Sequence, residues 1–570
     1  MKGVQEKSAM SEAIASLYPS FTNTFFFSLI VNVLVLAPSA YMMEVYDRVV
    51  NSRSHTTLLM LTILVIGSYL LLEALEWVRR QVMHGAGLGL DAKLRDQVIG
   101  AMFTARLQSL SSGGTQALRD LKTVCDFLAS TAMLAIIDMP LALLVLVLIF
   151  MMSPMLGWFA VAGALMQFMI GVINERRIRE PLLAANRGSR NTQAYADSVL
   201  RNAEVIESMG MLDHIHNRWM RRQQDFLVQQ AKASDHAGTN AALSKLVQSL
   251  LGSLLLGVGC WLTLKGELQG SGMIVSSILG GRVLSPLVQI IGNWRQVEGA
   301  FEAFTRLDLM LKQYPVPEKR MALPPPTGSL VVDNLIAGAP GSKSQILKGI
   351  SFRLAPGGTL AIVGPSASGK TTLARLLVGI WPAIQGKVRL DGNDIYQWDK
   401  EELGQYIGYL PQNVELFDGT IAENIARFGE PDEAKVEAAC RMVGLERFIE
   451  QLPQGYDTRI GDDGSFLSGG ERQRVALARS VYGMPKFIVL DEPNASLDEA
   501  GDAALLRALQ LLKTLGTTII VITHRLNILG ATEHMLVLVD GQVQRFGTSE
   551  EVLAALQSSQ DARPASNGKP

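Results

Sequence analysis

The sequence predicts an α-helical membrane domain with six transmembrane helices, followed by an α/β domain built around a phosphate-binding loop. Six apolar stretches, at 22–43, 58–77, 127–152, 156–173, 241–264 and 273–291, each match the roughly 20 residues that a helix needs to cross a bilayer. After them, Thr359-Leu-Ala-Ile-Val363 leads into Gly364-Pro-Ser-Ala-Ser-Gly-Lys-Thr-Thr372 and then into the helical Leu373-Ala-Arg-Leu-Leu-Val378. This is the strand, loop and helix order that a phosphate loop requires. The bulk numbers agree: 48% hydrophobic residues, 18% charged residues and a mean hydropathy of +0.21 are too apolar for a water-soluble chain of 570 residues. A net charge of −1 gives no polycationic signal for nucleic acid. The three cysteines, at 125, 260 and 440, are far apart and read as core residues, not as a disulfide framework or a metal site.

In chain order, residues 1–20 form a short, partly polar segment with Lys2, Glu6 and Lys7, suited to a membrane surface or to disorder and too short for a domain. No cleavable leader is expected, because Glu44 and Asp47 follow the first apolar run without a small-residue cleavage pattern. The membrane domain occupies 21–311. Its two long polar tracts, 79–125 and 175–240, read as mostly helical and carry the arginine clusters, whereas the short connections hold only Arg48, Arg53 and Lys265. Positive-inside reasoning therefore places both tracts, both termini and the α/β domain in the cytoplasm. Residues 294–311 continue as a helix out of the membrane, 312–328 is a proline-rich linker, 329–557 is the α/β domain and 558–570 a flexible tail.

Some polar residues in the membrane half need separate treatment. Asp138, just ahead of Pro140, is functional if it lies at membrane depth, and a rim residue if its helix begins in the cytoplasm, which is the preferred reading. Arg282 and Lys245 are expected to face an aqueous cavity or to snorkel. His214 and His216, two apart on a helix, share no face and read as surface residues.

The chemistry is concentrated in the second half. In the loop Gly364, Pro365, Ser366, Ala367, Ser368, Gly369, Lys370, Thr371 and Thr372, the glycines let successive N–H groups point inward and the following helix adds its positive end. Lys370 then reaches β- and γ-phosphates, and the Thr371 hydroxyl is placed to ligate Mg²⁺. Alone, such a loop could be an ordinary Gly/Ser turn between buried elements. Phe487-Ile-Val-Leu-Asp-Glu492 is a second buried strand ending in two carboxylates. Asp491 suits a metal-directed role and Glu492 a base polarising a water, whereas by itself the pair could be a solvated strand end. Between them, Leu467-Ser-Gly-Gly-Glu-Arg-Gln-Arg474 opens a helix whose N-terminus also presents donors to an anion.

In this order the segment 328–556 resembles the ATP-binding cassette (ABC) family. The resemblance makes 364–371 the Walker A loop, Gln412 the Q-loop glutamine, 467–471 the signature, 487–492 the Walker B strand with its glutamate, 495–498 the D-loop and His524 the switch histidine. It thereby implies ATP and Mg²⁺ as cofactors. Glu492, His524 and Gln412 are the implied catalytic residues. The phosphate loop with Ser468, Gly469, Gly470 and Asp498 is implied for nucleotide, and Thr371, Gln412 and Asp491 for the metal. One departure is Ala339, before Pro340-Gly341, where many exporters of the family carry an aromatic residue that stacks on adenine; no stacking residue is assigned.

Val45-Tyr-Asp-Arg-Val49, Asn202-Ala-Glu-Val-Ile-Glu-Ser-Met-Gly-Met211, Gly281-Arg-Val-Leu-Ser-Pro286 and Asp491-Glu-Pro-Asn494 are similar to the PrtD-like group of type I secretion permease/ATPases. That resemblance implies an ABC-exporter fold and a homodimer of half-transporters in the bacterial inner membrane, surrounded by lipid. It also implies a periplasmic adaptor, an outer-membrane channel and a protein cargo with a C-terminal signal. The short N-terminal segment leaves no room for the peptidase-like domain of another type I branch. Rival expectations are an exporter of lipids or small hydrophobic molecules on the same scaffold, or a cassette serving as a regulatory module.

Overall fold

The computed structural model describes residues 9–108, 115–315, 322–342, 344–461 and 464–561. The chain separates into two compact units, Met1–Thr104 with Gly113–Val316 and Ala105–Ser112 with Pro317–Pro570. The expected linker falls partly, and the expected tail mostly, outside the described residues, and the helix Ser549–Asp561 runs past the boundary expected at 557.

The first unit is helical. Among the described residues six helical segments are long and apolar enough to cross a membrane: Tyr18–Ser52, His55–Gln108, Thr131–Met152, Pro154–Arg201, Leu212–Leu264 and Gly270–Gly292. Leu64, Leu70, Phe168 and Leu254 on their outer faces are exposed, as suits helices whose backbone bonds are internal and whose side chains meet hydrocarbon. The first span is not one unbroken α-helix. Tyr18–Leu34 stops, Ala37–Glu44 restarts with Pro38 in its first turn, and the π-helical turn Val45–Val49 follows. Pro38 has no N–H for the preceding turn, so the ladder breaks there.

The polar tracts are long helical continuations of the spans. His55–Gln108 runs unbroken for 54 residues, while Pro154–Arg201 and Leu212–Leu264 pack antiparallel through matched polar pairs and small residues. Gln167 bonds Ser244, Asn240 Nδ2 donates to Asn174 Oδ1 at 2.8 Å, and Gly163 leaves room for Leu251, which a Cβ would meet at 2.5 Å. Asp138 is paired: Arg79, 1% exposed, grips its carboxylate in a fork at 3.2 and 3.0 Å. Arg282, Lys245, His214 and His216 are exposed. Of the expected N-terminal segment, residues 1–8 lie outside the described residues, and Ala9–Ala15 is a helix whose Met10 and Ala13 are buried in one cluster with Met83, Leu94 and Leu307. The helix Trp294–Gln313 is tied to its neighbours by Arg306, which bonds Asp120 at 2.7 and 2.8 Å and also pairs with Glu302.

The second unit is α/β. Its strands are β1 (Leu330–Ala337), β2 (Leu347–Leu354), β3 (Thr359–Val363), β4 (Gln385–Leu390), β5 (Asn393–Asp394), β6 (Ile407–Leu410), β7 (Phe487–Asp491), β8 (Thr518–Ile522), β9 (His534–Val539) and β10 (Gln542–Thr548). A four-stranded antiparallel sheet has the order β2-β1-β4-β5, and a six-stranded sheet the order β10-β9-β3-β8-β7-β6. Within the latter, β9, β3, β8, β7 and β6 are parallel. All five residues of β3, β7 and β8 are buried, as continuous apolar runs covered on both faces should be. Because parallel strands point the same way, the segments following β3, β8, β7 and β6 emerge side by side at one sheet edge, where α/β folds bind ligands.

Candidate active site

That edge collects the residues singled out in the sequence. The loop 364–369 leaves β3 and delivers Lys370 into the helix Lys370–Leu377. Two glycines are required here: a Cβ on Gly364 would lie 2.0 Å from the Leu538 carbonyl oxygen, and one on Gly369, at φ +101°, would lie 2.7 Å from Leu347. Lys370 Nζ donates to the carbonyls of Gly364 at 2.7 Å and Pro365 at 3.0 Å, so the ammonium lies across the loop that its own backbone forms. Burial lowers the pKa of Lys370, against the pull of Glu492 and Asp491. The Ser368 hydroxyl is buried without a hydrogen-bond partner among the described residues.

β7 ends at Asp491, 1% exposed, whose two carboxylate oxygens have no hydrogen bond of good geometry among the described residues. Burial raises this carboxyl above the usual range, moderated by the nearby Thr371 hydroxyl and by the charges of Arg375 and Lys370. A buried, unsatisfied carboxylate is costly unless something cationic completes it. Beside it, Thr371 donates to Gln412 Oε1 at 3.4 Å and Gln412 Nε2 donates to Glu492 Oε2 at 3.2 Å. Thr371, Gln412, Asp491 and Glu492, from three segments far apart in sequence, thus surround one spot. Glu492 sits at φ +52°, a conformation that costs a residue with a Cβ about 1 kcal/mol or more and is held only where neighbours impose it.

His524 follows β8, between the segments of the phosphate loop and Glu492, and is exposed. Ser468, Gly469, Gly470 and Asp498 stand apart, and among the described residues no hydrogen bond joins them to the loop 364–372. Ser468 caps the helix Gly469–Val481 in a reciprocal box with Glu471, which uses its oxygen as an acceptor and leaves its proton free to donate. Asp498 caps Glu499–Thr514 and pairs with Arg474 at 2.8 Å. Ala339 is half-buried against the core and offers no ring to a base.

Sequence reasoning missed three residues behind the site. Gln473, 3% exposed, donates from Nε2 to the carbonyls of Glu492 at 3.3 Å and Pro493 at 3.1 Å. Asn494 Oδ1 accepts from the buried Thr523 hydroxyl at 3.2 Å, and Thr523 Oγ1 accepts from the Arg525 N–H. Gln473 stands in the polar run Glu471-Arg-Gln-Arg474, so nothing in the sequence set it apart from its charged neighbours.

The sequence family models agree with this division: residues 21–284 match the ABC transporter transmembrane region and 347–495 the ABC transporter ATP-binding domain. The type I secretion system ATP-binding protein PrsD of Rhizobium meliloti is 38% identical over 92% of this chain and 91% of its own length. The chain belongs to the ABC transporter family. Among further relatives of this ABC transporter, the cyclolysin secretion/processing protein CyaB of Bordetella pertussis is 26% identical over 93% of the chain and 75% of its own length. The structure of a bacterial Atm1-family ABC exporter with ATP bound superposes with a TM-score of 0.83 at 23% identity, covering 98% of this chain and all of that one, which shows the shared exporter fold. The protein is therefore a multi-pass membrane ATPase with its ATP-binding domain in the cytoplasm, coupling ATP hydrolysis to transport.

Proposed function

We propose that this ABC transporter exports a protein or peptide across the bacterial inner membrane as the ATP-driven component of a type I secretion system. The reading is carried by the near full-length similarity to a type I secretion ATP-binding protein. A protein cargo with a C-terminal signal, a periplasmic adaptor and an outer-membrane channel are the partners it implies. The chain holds one phosphate loop and one signature segment, so two copies, each presenting Ser468, Gly469 and Gly470 to nucleotide on the other's loop, form two composite sites. Asp498, beside the signature helix, belongs to the same face.

Hydrolysis follows from the grouped residues. The loop N–H groups and Lys370 hold the phosphates, Glu492 takes a proton from water as its oxygen attacks the γ-phosphorus, and the bond to the β-γ bridging oxygen breaks to leave ADP and phosphate. Gln412 orients Glu492 and the water, and His524 contacts the γ-phosphate. The buried, unsatisfied Asp491 carboxylate fits a divalent cation. Thr371, Gln412 and Asp491 would hold Mg²⁺, which neutralises charge on the phosphate oxygens.

Two measurements on the purified full chain in lipid nanodiscs test this. Glu492→Gln should retain ATP binding while turnover falls on the order of 10²-fold or more, and unchanged turnover would remove Glu492 from its role. Wild-type ATPase should be stimulated by the C-terminal fragment of a secreted Gly/Asp-repeat protein encoded nearby. Stimulation by phospholipid or a hydrophobic drug alone would instead favour the small-molecule exporter.

A further inference from the structure

Behind Glu492 lies a buried polar relay that the hydrolysis chemistry does not itself use. We infer that Gln473, with Asn494 and Thr523, is the positioning device that holds the Glu492 backbone in its left-handed turn and sets the segment carrying His524. The inference rests on the reading of Glu492 as the base.

The turn after β7 must reverse sharply, because Glu492 N donates to the Ile522 carbonyl at 2.9 Å as a continuation of the β7-β8 pairing while the chain leaves at φ +52°. That exit points two successive carbonyls, of Glu492 and Pro493, inward. Pro493 has no N–H to offer the turn, and the Ala495 N–H reaches only the Glu492 carbonyl, at 3.1 Å. The Gln473 amide supplies the missing donor, and from one NH₂ it spans both carbonyls. Without Gln473 the buried Pro493 carbonyl has no donor among the described residues, a cost comparable to the strain of the turn itself, so the Gln473 contact bears directly on the conformation Glu492 adopts.

One residue further on, Asn494 turns the same loop toward β8. Its side-chain oxygen accepts from Thr523, whose own oxygen accepts from the Arg525 N–H, so the two bonds bracket His524. Gln473, Asn494 and Thr523 are 3%, 7% and 1% exposed, so water does not substitute for any of these bonds. Gln473 also stands on the helix that begins at Ser468. In the proposed dimer, the element facing one nucleotide therefore grips the base that acts on the other.

The test uses the full chain in nanodiscs with ATP and Mg²⁺. Gln473→Leu keeps the volume and removes the donor. Thr523→Val keeps the shape and removes the hydroxyl, and Thr523→Ser restores it. A small misplacement of a catalytic group costs on the order of 10–100-fold, so kcat should fall by about that factor in Gln473→Leu and by a smaller factor in Thr523→Val. The KM for ATP should hardly move, the unfolding midpoint should stay well above the assay temperature, and Thr523→Ser should recover kcat. The inference is overturned if kcat is unchanged in both variants while Glu492→Gln abolishes turnover. It is equally overturned if the KM for ATP rises by as large a factor as kcat falls, or if Thr523→Ser fails to recover what Thr523→Val loses. Retained turnover in Glu492→Gln would instead sink the base assignment on its own.

Discussion

The two units of this ABC transporter differ in how their buried charged groups are completed. In the helical unit buried charges and amides pair across helices, Arg79 with Asp138, Asn240 with Asn174, Gln167 with Ser244 and Arg306 with Asp120, although Arg79 Nε, Gln167 Oε1 and Asn174 Nδ2 keep unused bonding capacity. In the ATP-binding unit the polar groups nearest the chemistry are left less complete: among the described residues neither oxygen of Asp491 nor the hydroxyl of Ser368 has a well-formed hydrogen bond, and Glu492 is held in a disfavoured turn. The first arrangement fixes which helix faces meet. The second stores unmet bonding capacity where phosphate and a cation are to be bound.

One chemical change applied to both units gives the sharpest contrast. Asp491→Asn removes a buried charge that has no well-formed hydrogen bond among the described residues and only the nearby Thr371 hydroxyl and the charges of Arg375 and Lys370 to offset its burial, so the nucleotide-free protein should gain about 1–2 kcal/mol of stability. The same variant should lose ATP turnover on the order of 10²-fold or more, because the cation loses its anionic ligand. Asp138→Asn leaves Arg79, 1% exposed, with the Glu76 carboxylate 4.0 Å away in place of the fork at Asp138, and should cost about 3 kcal/mol. Replacing both partners, Arg79→Met with Asp138→Leu, should recover most of that loss, since no buried charge is then stranded. Thermal unfolding in nanodiscs without nucleotide reads both signs. If the two Asp→Asn variants shift the midpoint the same way, the contrast between the units is wrong.

A smaller effect probes the helical extensions beyond the spans. Arg306→Met leaves Asp120, 4% exposed, with the Gln116 amide at 2.8 Å but without its paired cation, and should destabilise the protein by about 2 kcal/mol. Glu302→Gln leaves the more exposed end of the same network and should cost under about 1 kcal/mol. Equal effects would mean that the network acts as one unit and not through its buried end.

What the sequence revealed follows the same division. Phosphate loop, Asp491-Glu492 and His524 were legible because each is a short string at the end of an apolar strand, and parallel pairing alone brings such ends together. Asp138 was visible as a charge out of place and Arg79 only as the start of an arginine-bearing tract, and their pairing depends on how two helices are rotated at positions 59 residues apart, which periodicity does not fix. Gln473 was hidden for a related reason: its partners are two backbone carbonyls, and no residue type marks a carbonyl that lacks a donor. The contacts of Ala9–Ala15 were not legible either, because seven residues carry too short a pattern to show that Met10 and Ala13 find their apolar surface on His55–Gln108 and Trp294–Gln313.

The cysteines offer the gentlest comparison, since they report how tightly each unit closes without disturbing it. Cys125 lies in the helix Gln116–Leu128 of the helical unit and Cys440 in the ATP-binding unit, and burial pushes both thiols up to about 12, assisted at Cys125 by Asp91 and Asp126 and at Cys440 by Glu446 and Glu437. Only the thiolate reacts, so at neutral pH each presents roughly one reactive form in 10⁴ or fewer, against a few per cent for an ordinary cysteine. In a Cys260→Ser background, a water-soluble maleimide should therefore leave the native protein unlabelled over an hour and label two thiols after denaturation. Cys125 sits under a close helix contact, where a Cβ on Gly87 would meet its carbonyl oxygen at 2.9 Å, whereas Cys440 is enclosed by a core of strands and helices. If Cys125 labels first, the helical contact opens more readily than the sheet-backed core. Equal protection would mean that polar pairing closes the helical unit as firmly as continuous apolar packing closes the other.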